Sequence, residues 1–162
     1  MNNVGETMKR EFMDEAVRLS LESVRGGTDG PFGAVVVKDN RIVGRGSNQV
    51  ISTNDPTAHA EIIAIRDACR NLGSCHLCGA EIYTSCEPCP MCLAAIYWAQ
   101  LERVYYALTR QDAAAMGFDD ALIYTELSLP IPKRRLPLHQ LARDAALVAL
   151  REWNDKPDRK LY

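Results

Sequence analysis

Three of the chain's six cysteines lie in one short segment, Thr84-Ser85-Cys86-Glu87-Pro88-Cys89-Pro90-Met91-Cys92. The apolar run 93–99 follows at once and predicts a buried helix. Pro90 suits the first position of that helix, where the backbone N–H has no helical partner to lose. Cys89 is then the N-cap and Cys92 the third helical residue, so we expect their sulfurs to meet at the positive end of the helix. Because that position favours thiolates, the pair is suited to binding a cation.

A third donor lies upstream, in Thr57-Ala58-His59-Ala60-Glu61, just before a helical pattern. Together His59, Cys89 and Cys92 offer three ligands to a tetrahedral zinc ion and leave the fourth position to water. This arrangement is typical of catalytic zinc, whereas structural zinc is held by four protein ligands. Glu61 then remains available to carry protons. His-x-Glu combined with Pro-Cys-x-x-Cys is the pattern of zinc-dependent deaminases.

Helical geometry constrains this interpretation. Positions two apart on a regular helix point about 200° away from each other, so His59 and Glu61 cannot both face a metal from within a helix. We therefore expect His59 at or just before the first turn. The residues leave one alternative open, a closed structural zinc site completed by Cys86. A second Cys-x-x-Cys spacing occurs at Cys75-His76-Leu77-Cys78, where we favour loop thiols over a second zinc site.

The composition is ordinary for a globular protein, with 47% hydrophobic and 25% charged residues in a chain of 162. Such a chain is long enough for one domain with a substantial core. No apolar run approaches the roughly 20 residues of a membrane span. Residues 1–10 lack the apolar centre of a secretory signal. We therefore expect a cytoplasmic protein without membrane contact, whose cysteines are thiols or metal ligands.

The charge balance argues against a nucleic-acid partner. The formal net charge is −2, whereas binding to phosphates generally requires a cluster of cations. The main cationic run, Lys133-Arg134-Arg135, is short, and a run of this kind is usually a solvated surface.

Helices and strands are predicted to alternate along the chain. We expect helices over residues 7–25, 59–72, 93–99 and 140–153, and strands over 32–37, 42–46, 81–84 and 104–107. Residues 110–120 predict a short helix or turn, and the prolines between 130 and 137 discourage a helix there. This alternation indicates an α/β sheet covered on both faces, with ligands near the carboxyl ends of strands and the starts of helices.

Four stretches support a family resemblance. They are Pro31-Phe32-Gly33-Ala34-Val35, Asn54-Asp55-Pro56-Thr57-Ala58-His59-Ala60-Glu61, Thr84 to Cys92, and Gly117-Phe118-Asp119-Asp120. Together they resemble the bacterial guanine deaminases, a family within the cytidine deaminase superfamily, and the likeness continues to Lys160-Leu161-Tyr162. The metal-binding pattern is common to the superfamily, whereas Phe118-Asp119-Asp120 and the final tyrosine indicate guanine.

The resemblance implies a three-layer, cytidine-deaminase-like α/β fold in which a five-stranded mixed sheet lies between helices. Residues 1–162 would form a single deaminase domain with one zinc ion. The resemblance also implies a homodimer in which a domain-swapped segment, about 130–162, crosses to the partner subunit. Departures from the family pattern fall mainly at 74–79 and 128–149.

The resemblance also implies which residues contact the substrate. Asn48, Asp120 and Tyr162 match positions that contact the purine in the family, and Phe32 matches a phenylalanine that lines the base pocket. The backbone N–H of Ala60 is a further candidate donor.

The expected reaction is hydrolysis of guanine to xanthine and ammonia. A zinc-bound hydroxide would attack C2 while Glu61 takes the water proton, passes it to N3 and later protonates the amine. Two thiolates neutralise the zinc charge, so a dedicated base becomes more necessary. The alternatives are a guanosine deaminase, a tRNA adenosine deaminase of the same superfamily, and a non-catalytic zinc-stabilised interaction module.

Overall fold

The helices and strands follow the predicted alternation. A computed structural model describes residues 3–161, and side chains within 9–161. Its elements are α1 (Asn3–Gly26), β1 (Gly33–Lys38), β2 (Arg41–Ser47), α2 (Val50–Thr53), α3 (Ala60–Leu72), β3 (Ala80–Cys86), α4 (Pro90–Trp98), β4 (Arg103–Leu108), α5 (Arg110–Ala115), α6 (Ala121–Ser128), a 3-10 turn (Ile131–Lys133) and α7 (Arg143–Asp155).

The sheet is mixed, as predicted, but the expectation of five strands is wrong. Within residues 3–161 it has four strands in the order β2-β1-β3-β4. Strand β1 runs antiparallel to both β2 and β3, and β4 runs parallel to β3. After β4 the chain forms short helices and then a proline-rich stretch containing Pro130, Pro132 and Pro137. Proline fixes φ and cannot donate to a strand ladder, so this stretch does not add a fifth strand.

Both faces of the sheet are covered, because alternate side chains of β1 are buried on opposite sides. Val35 and Val37 join Ala16 of α1 in one apolar cluster. Ala34 and Val36 join residues of α3 and α4 in the other. The result is helix, sheet and helix in three layers, and the metal-binding segments belong to the α3 and α4 side.

Two glycines of β2 allow α3 to lie directly on the sheet. A β-carbon on Gly46 would come within 2.1 Å of the Ala60 carbonyl oxygen, and one on Gly44 within 2.3 Å of the Ala64 carbonyl oxygen. These distances are far below van der Waals contact, so only glycine fits at either position. Gly46 therefore sets how closely the first turn of α3 approaches the strand.

Residues from Ala121 onward form a second compact unit, separate from the unit that ends at Asp120. Within it, the Glu126 carboxylate accepts the Arg135 backbone N–H at 2.7 Å, and the Arg134 guanidinium donates to the Leu129 carbonyl at 3.1 Å. Residues 1–162 as a single domain, and the exchange of its C-terminal segment, therefore stay predictions. Among the described residues, no helix combines the length and apolar character needed to cross a bilayer.

Candidate metal centre and neighbouring residues

The two predicted helix starts are confirmed. His59 is the N-cap of α3 with extended backbone angles, φ −69 and ψ 155, and so lies just before the first turn. Cys89 is the N-cap of α4 with φ −64 and ψ 167, and Pro90 is its first helical residue. The His59 side chain accepts no backbone hydrogen bond from its own helix. The imidazole is therefore available to bind something else.

The two helix starts bring the three predicted donors together. His59 Nδ1 lies 3.6 Å from Cys89 Sγ and 3.6 Å from Cys92 Sγ. All three donor atoms lie within 4.8 Å of one another. A tetrahedral zinc ion, with bonds of about 2.3 Å to sulfur and 2.0–2.1 Å to nitrogen, separates such ligands by about 3.6 Å. The donor set therefore fits zinc in both chemistry and spacing.

The sulfurs concentrate negative charge at this point. A hydrogen bond from the Cys92 thiol, helped by His59, lowers the pKa of Cys89 to about 4. The same hydrogen bond, together with burial, raises the pKa of Cys92. Cys89 is therefore a thiolate at neutral pH, and one proton between two sulfurs neutralises only one of them. A dication would neutralise both.

Cys86 does not complete a fourth ligand position. Its thiol donates to the Thr109 carbonyl oxygen at 3.6 Å, and the three-donor group does not include it. Burial raises the pKa of Cys86 to about 11, so this sulfur holds its proton. Three protein donors leave one tetrahedral position available, which is the arrangement of catalytic zinc.

Glu61 is buried beside the sulfurs, in the first turn of α3. Only 6% of the residue is exposed, and burial is the main cause that raises the pKa of its carboxyl group. The charge of Cys89 acts in the same direction, while the charge of His59 acts against it. A carboxyl group whose pKa is raised next to a metal site is a stronger base than usual and is suited to accepting and returning a proton.

Asn48 is buried with its amide held in one orientation. Its Oδ1 accepts the backbone N–H of Val50 at 3.2 Å and that of Gly30 at 3.4 Å. Among the described residues, none accepts a hydrogen bond from the Asn48 Nδ2 group. Asn48 can therefore offer hydrogen-bond donors to a ligand, because its acceptor is already used.

The segment after α5 contributes an aromatic ring and a carboxylate to the same unit. Gly117 ends α5 with φ +93, and the Phe118 ring contacts Phe32 edge to face with centroids 4.9 Å apart. Burial, followed by the charge of Cys89, raises the pKa of Asp120. Tyr162 lies outside the described residues.

One residue of this region had no role in the sequence prediction, Glu87. Phe118 is part of the stretch Phe118-Asp119-Asp120 that the sequence analysis associates with guanine. Glu87 could have been noticed as the acidic residue inside the cysteine-rich segment, but nothing in the sequence shows what it contacts.

Comparison with known proteins supports the metal centre. The family described as cytidine and deoxycytidylate deaminase zinc-binding region matches residues 6–108. Guanine deaminase of Bacillus subtilis (strain 168) is 48% identical over 93% of this chain and 97% of its own. Its crystal structure has a TM-score of 0.90 and covers 94% of this chain and 98% of the other.

Two further relatives are less similar over the full length. A tRNA-specific adenosine deaminase of Agrobacterium fabrum is 51% identical, but over 47% of this chain and 50% of its own. A guanine deaminase structure from Nitrosomonas europaea has a TM-score of 0.65 and 29% identity, covering 88% of this chain and 82% of the other. The chain therefore belongs to the zinc-binding cytidine and deoxycytidylate deaminase family.

Proposed function

We propose that this protein is a guanine deaminase, which converts guanine and water to xanthine and ammonia. One observation carries the proposal: the match to the Bacillus subtilis guanine deaminase spans 93% of the chain, whereas the zinc-binding family region ends at residue 108. The additional matching sequence includes Phe118 and Asp120. The metal donors are common to the superfamily and do not separate its substrates, so residues other than the donors, such as those of this segment, contribute to substrate choice.

We infer that His59, Cys89 and Cys92 hold the zinc ion, one per subunit. When bound, zinc supplies a water molecule of lowered pKa at a defined position. Glu61 would take a proton from the attacking water and pass it to N3 of the guanine ring. The second water proton leaves with the amine as ammonia. The buried Glu61 carboxyl group suits both transfers, because its raised pKa makes it a better base and a usable acid.

Base recognition follows from the polarity of the neighbouring groups. Asn48 presents its Nδ2 donors to an acceptor of guanine, and the Asp120 carboxylate accepts from the ring N–H groups. Phe32 packs against the base. The Ala60 N–H is in the first turn of α3, where no helical carbonyl accepts it, and is a further donor. Tyr162 as a contact from the C-terminal segment stays a prediction.

We further propose that the protein acts as a homodimer in which residues of about 130–162 cross to the partner subunit. Four large apolar side chains of α4 and β4 are between 49% and 76% exposed in the single chain: Tyr97, Trp98, Tyr106 and Leu108. An uncovered apolar surface of this kind is typical of a subunit interface. Light scattering coupled to size exclusion gives the subunit number. We expect the cytoplasm as the compartment, since thiolate ligands suit a reducing environment.

The test of the reaction is ammonia release. Zinc-loaded protein is incubated separately with guanine, guanosine, adenine, cytosine and tRNA. We expect release from guanine at a rate well above that from the others. Equal or faster release from guanosine would reassign the protein as a nucleoside deaminase, and release from tRNA alone would reassign it as a tRNA deaminase.

The test of the proton carrier is Glu61→Gln. This variant keeps the volume of the side chain but cannot accept the proton, so we expect kcat to fall by about 10²–10⁴-fold. Zinc content measured by atomic absorption should not change. A variant that keeps both its zinc and its full activity would contradict the role of Glu61.

A further inference from the structure

Glu87 lies inside the cysteine-rich segment but does not belong to the donor group. Its Oε2 accepts the backbone N–H of Arg110 at 3.0 Å. Its own backbone N–H donates to the Leu108 carbonyl at 2.8 Å. Glu87 therefore joins the loop before Cys89 to the point where β4 ends and α5 begins, 23 residues further along the chain.

The start of α5 is held from both sides. Thr109 and Asp112 form a capping box within the helix, and Glu87 supplies an acceptor from outside it. The first N–H groups of a helix have no helical acceptor, and a negative charge is favoured at that end. The Cys86 thiol adds a second link through the Thr109 carbonyl. The cysteine-rich segment thus fixes where α5 starts.

The end of α5 leads to Phe118 and to Asp120, the second of which the proposed function assigns to the substrate. The helix covers only Arg110–Ala115, and the Phe118 N–H returns to the Ala113 carbonyl at 3.1 Å. Phe118 then contacts Phe32, with ring centroids 4.9 Å apart, and Asp120 follows two residues later. Because the helix has only six residues, less than two turns, a displacement of its start is expected to displace its end as well.

We propose that Glu87 is a positioning residue for substrate recognition. Its carboxylate ties the start of α5 to the cysteine-rich segment, so that Phe118 and Asp120 keep a constant distance from the metal donors. Glu87 neither binds the metal nor carries the proton. The effect on substrate recognition rests on the proposed function. The link between Glu87 and the start of α5 rests only on the hydrogen bonds described above.

The test compares Glu87→Ala and Glu87→Gln with a matched control, Glu102→Ala. The Glu102 carboxylate also accepts a backbone N–H from a residue 23 positions away, that of Gly79 at 2.9 Å. Gly79, however, follows the segment that contains Cys75 and Cys78 and does not belong to the α5 region. In Glu87→Ala we expect unchanged zinc content, a KM for guanine about tenfold higher and kcat within about threefold, as for the loss of one charge-assisted hydrogen bond. Glu87→Gln, which still offers an acceptor oxygen, should restore KM to within about threefold, and Glu102→Ala should leave KM unchanged.

Amide hydrogen exchange followed by mass spectrometry tests the tie without any substrate. Peptides covering 109–118 should exchange faster in Glu87→Ala than in the wild type or in Glu102→Ala, while peptides from α3 should not change. Unchanged exchange over 109–118, loss of zinc, or faster exchange with an unchanged KM would each overturn the proposal. If the wild-type protein releases no ammonia from guanine, the proposed function fails, while the exchange result still decides whether Glu87 holds α5.

Discussion

Two segments of this protein share the spacing Cys-x-x-Cys and differ in everything else. In Cys89-Pro90-Met91-Cys92, both sulfurs lie 3.6 Å from His59 Nδ1. In Cys75-His76-Leu77-Cys78, Cys75 is exposed, and the Cys78 thiol donates to the Gln100 side-chain oxygen at 3.0 Å. Among the residues whose side chains the structure describes, only the first pair joins a group of three metal donors.

The difference comes from the backbone. Cys89 is the extended N-cap of a helix that Pro90 starts, so both sulfurs point to the same end of α4. The other pair follows Gly73, which ends α3 with φ +63, and no helix begins there. That segment is organised by Leu77, which is fully buried. Cysteine spacing therefore indicates a metal site only when the local backbone turns both sulfurs to one point and a third donor reaches it.

The largest difference between the two segments should appear when one cysteine of each is replaced. Cys89→Ser removes a zinc ligand, so we expect loss of bound zinc and a fall in kcat/KM of at least about 10³-fold. Cys75→Ser is the matched control and should keep zinc stoichiometry and activity within about twofold. Zinc content and ammonia release are the measurements. Loss of zinc in Cys75→Ser would contradict the assignment of zinc binding to the Cys89 segment alone.

Leu77→Ala should show that the segment Cys75-His76-Leu77-Cys78 contributes to stability through the packing of Leu77 and not through its cysteines. Leu77 is 0% exposed, and truncating a buried leucine to alanine costs about 2–5 kcal/mol. We expect a lower free energy of unfolding in urea with unchanged zinc content. Leu72→Ala is the control: this leucine is 38% exposed, and its truncation should cost clearly less. Equal costs would contradict the assignment of Leu77 to the core.

Thiol alkylation should separate the buried and exposed cysteines of the two segments. Burial raises the pKa of Cys86 to about 11, and alkylation requires the thiolate. At pH 7 we expect Cys86 to react at least about tenfold more slowly than the exposed Cys75, with its rate still rising at pH 9. Peptide mapping of the alkylated zinc-loaded protein measures both rates. Equal rates would show that the Cys86 sulfur is accessible and readily ionised.

The smallest effect is expected for Cys78→Ala. The variant loses one hydrogen bond on an exposed side chain, which contributes about 1 kcal/mol or less. Unfolding in urea should therefore change only slightly, with zinc binding and activity as in the wild type. A cost above about 2 kcal/mol would show that Cys78 stabilises its segment as Leu77 does.

The prediction of the donor set from sequence succeeded because it depended on local chemistry. Pro90 at the first helical position makes Cys89 the N-cap, and this decides where the sulfurs of Cys89 and Cys92 point. Such preferences act within one helical turn. The four strands that the local patterns predict are all present, whereas the fifth strand, which only the resemblance implied, is absent from the described residues 3–161. The contact of Glu87 was missed because it joins residues distant in sequence.

The sequence by itself determined the start of α4, the position of His59 before its helix, and the identity of the donors, because each follows from preferences of a few adjacent residues. Only the tertiary structure decided how far apart the three donor atoms lie, how closely α3 lies on Gly46, and that Glu87 reaches Arg110. These are distances between segments far apart in the chain. They are set by how the helices pack on the sheet, and packing depends on the whole set of side chains at once.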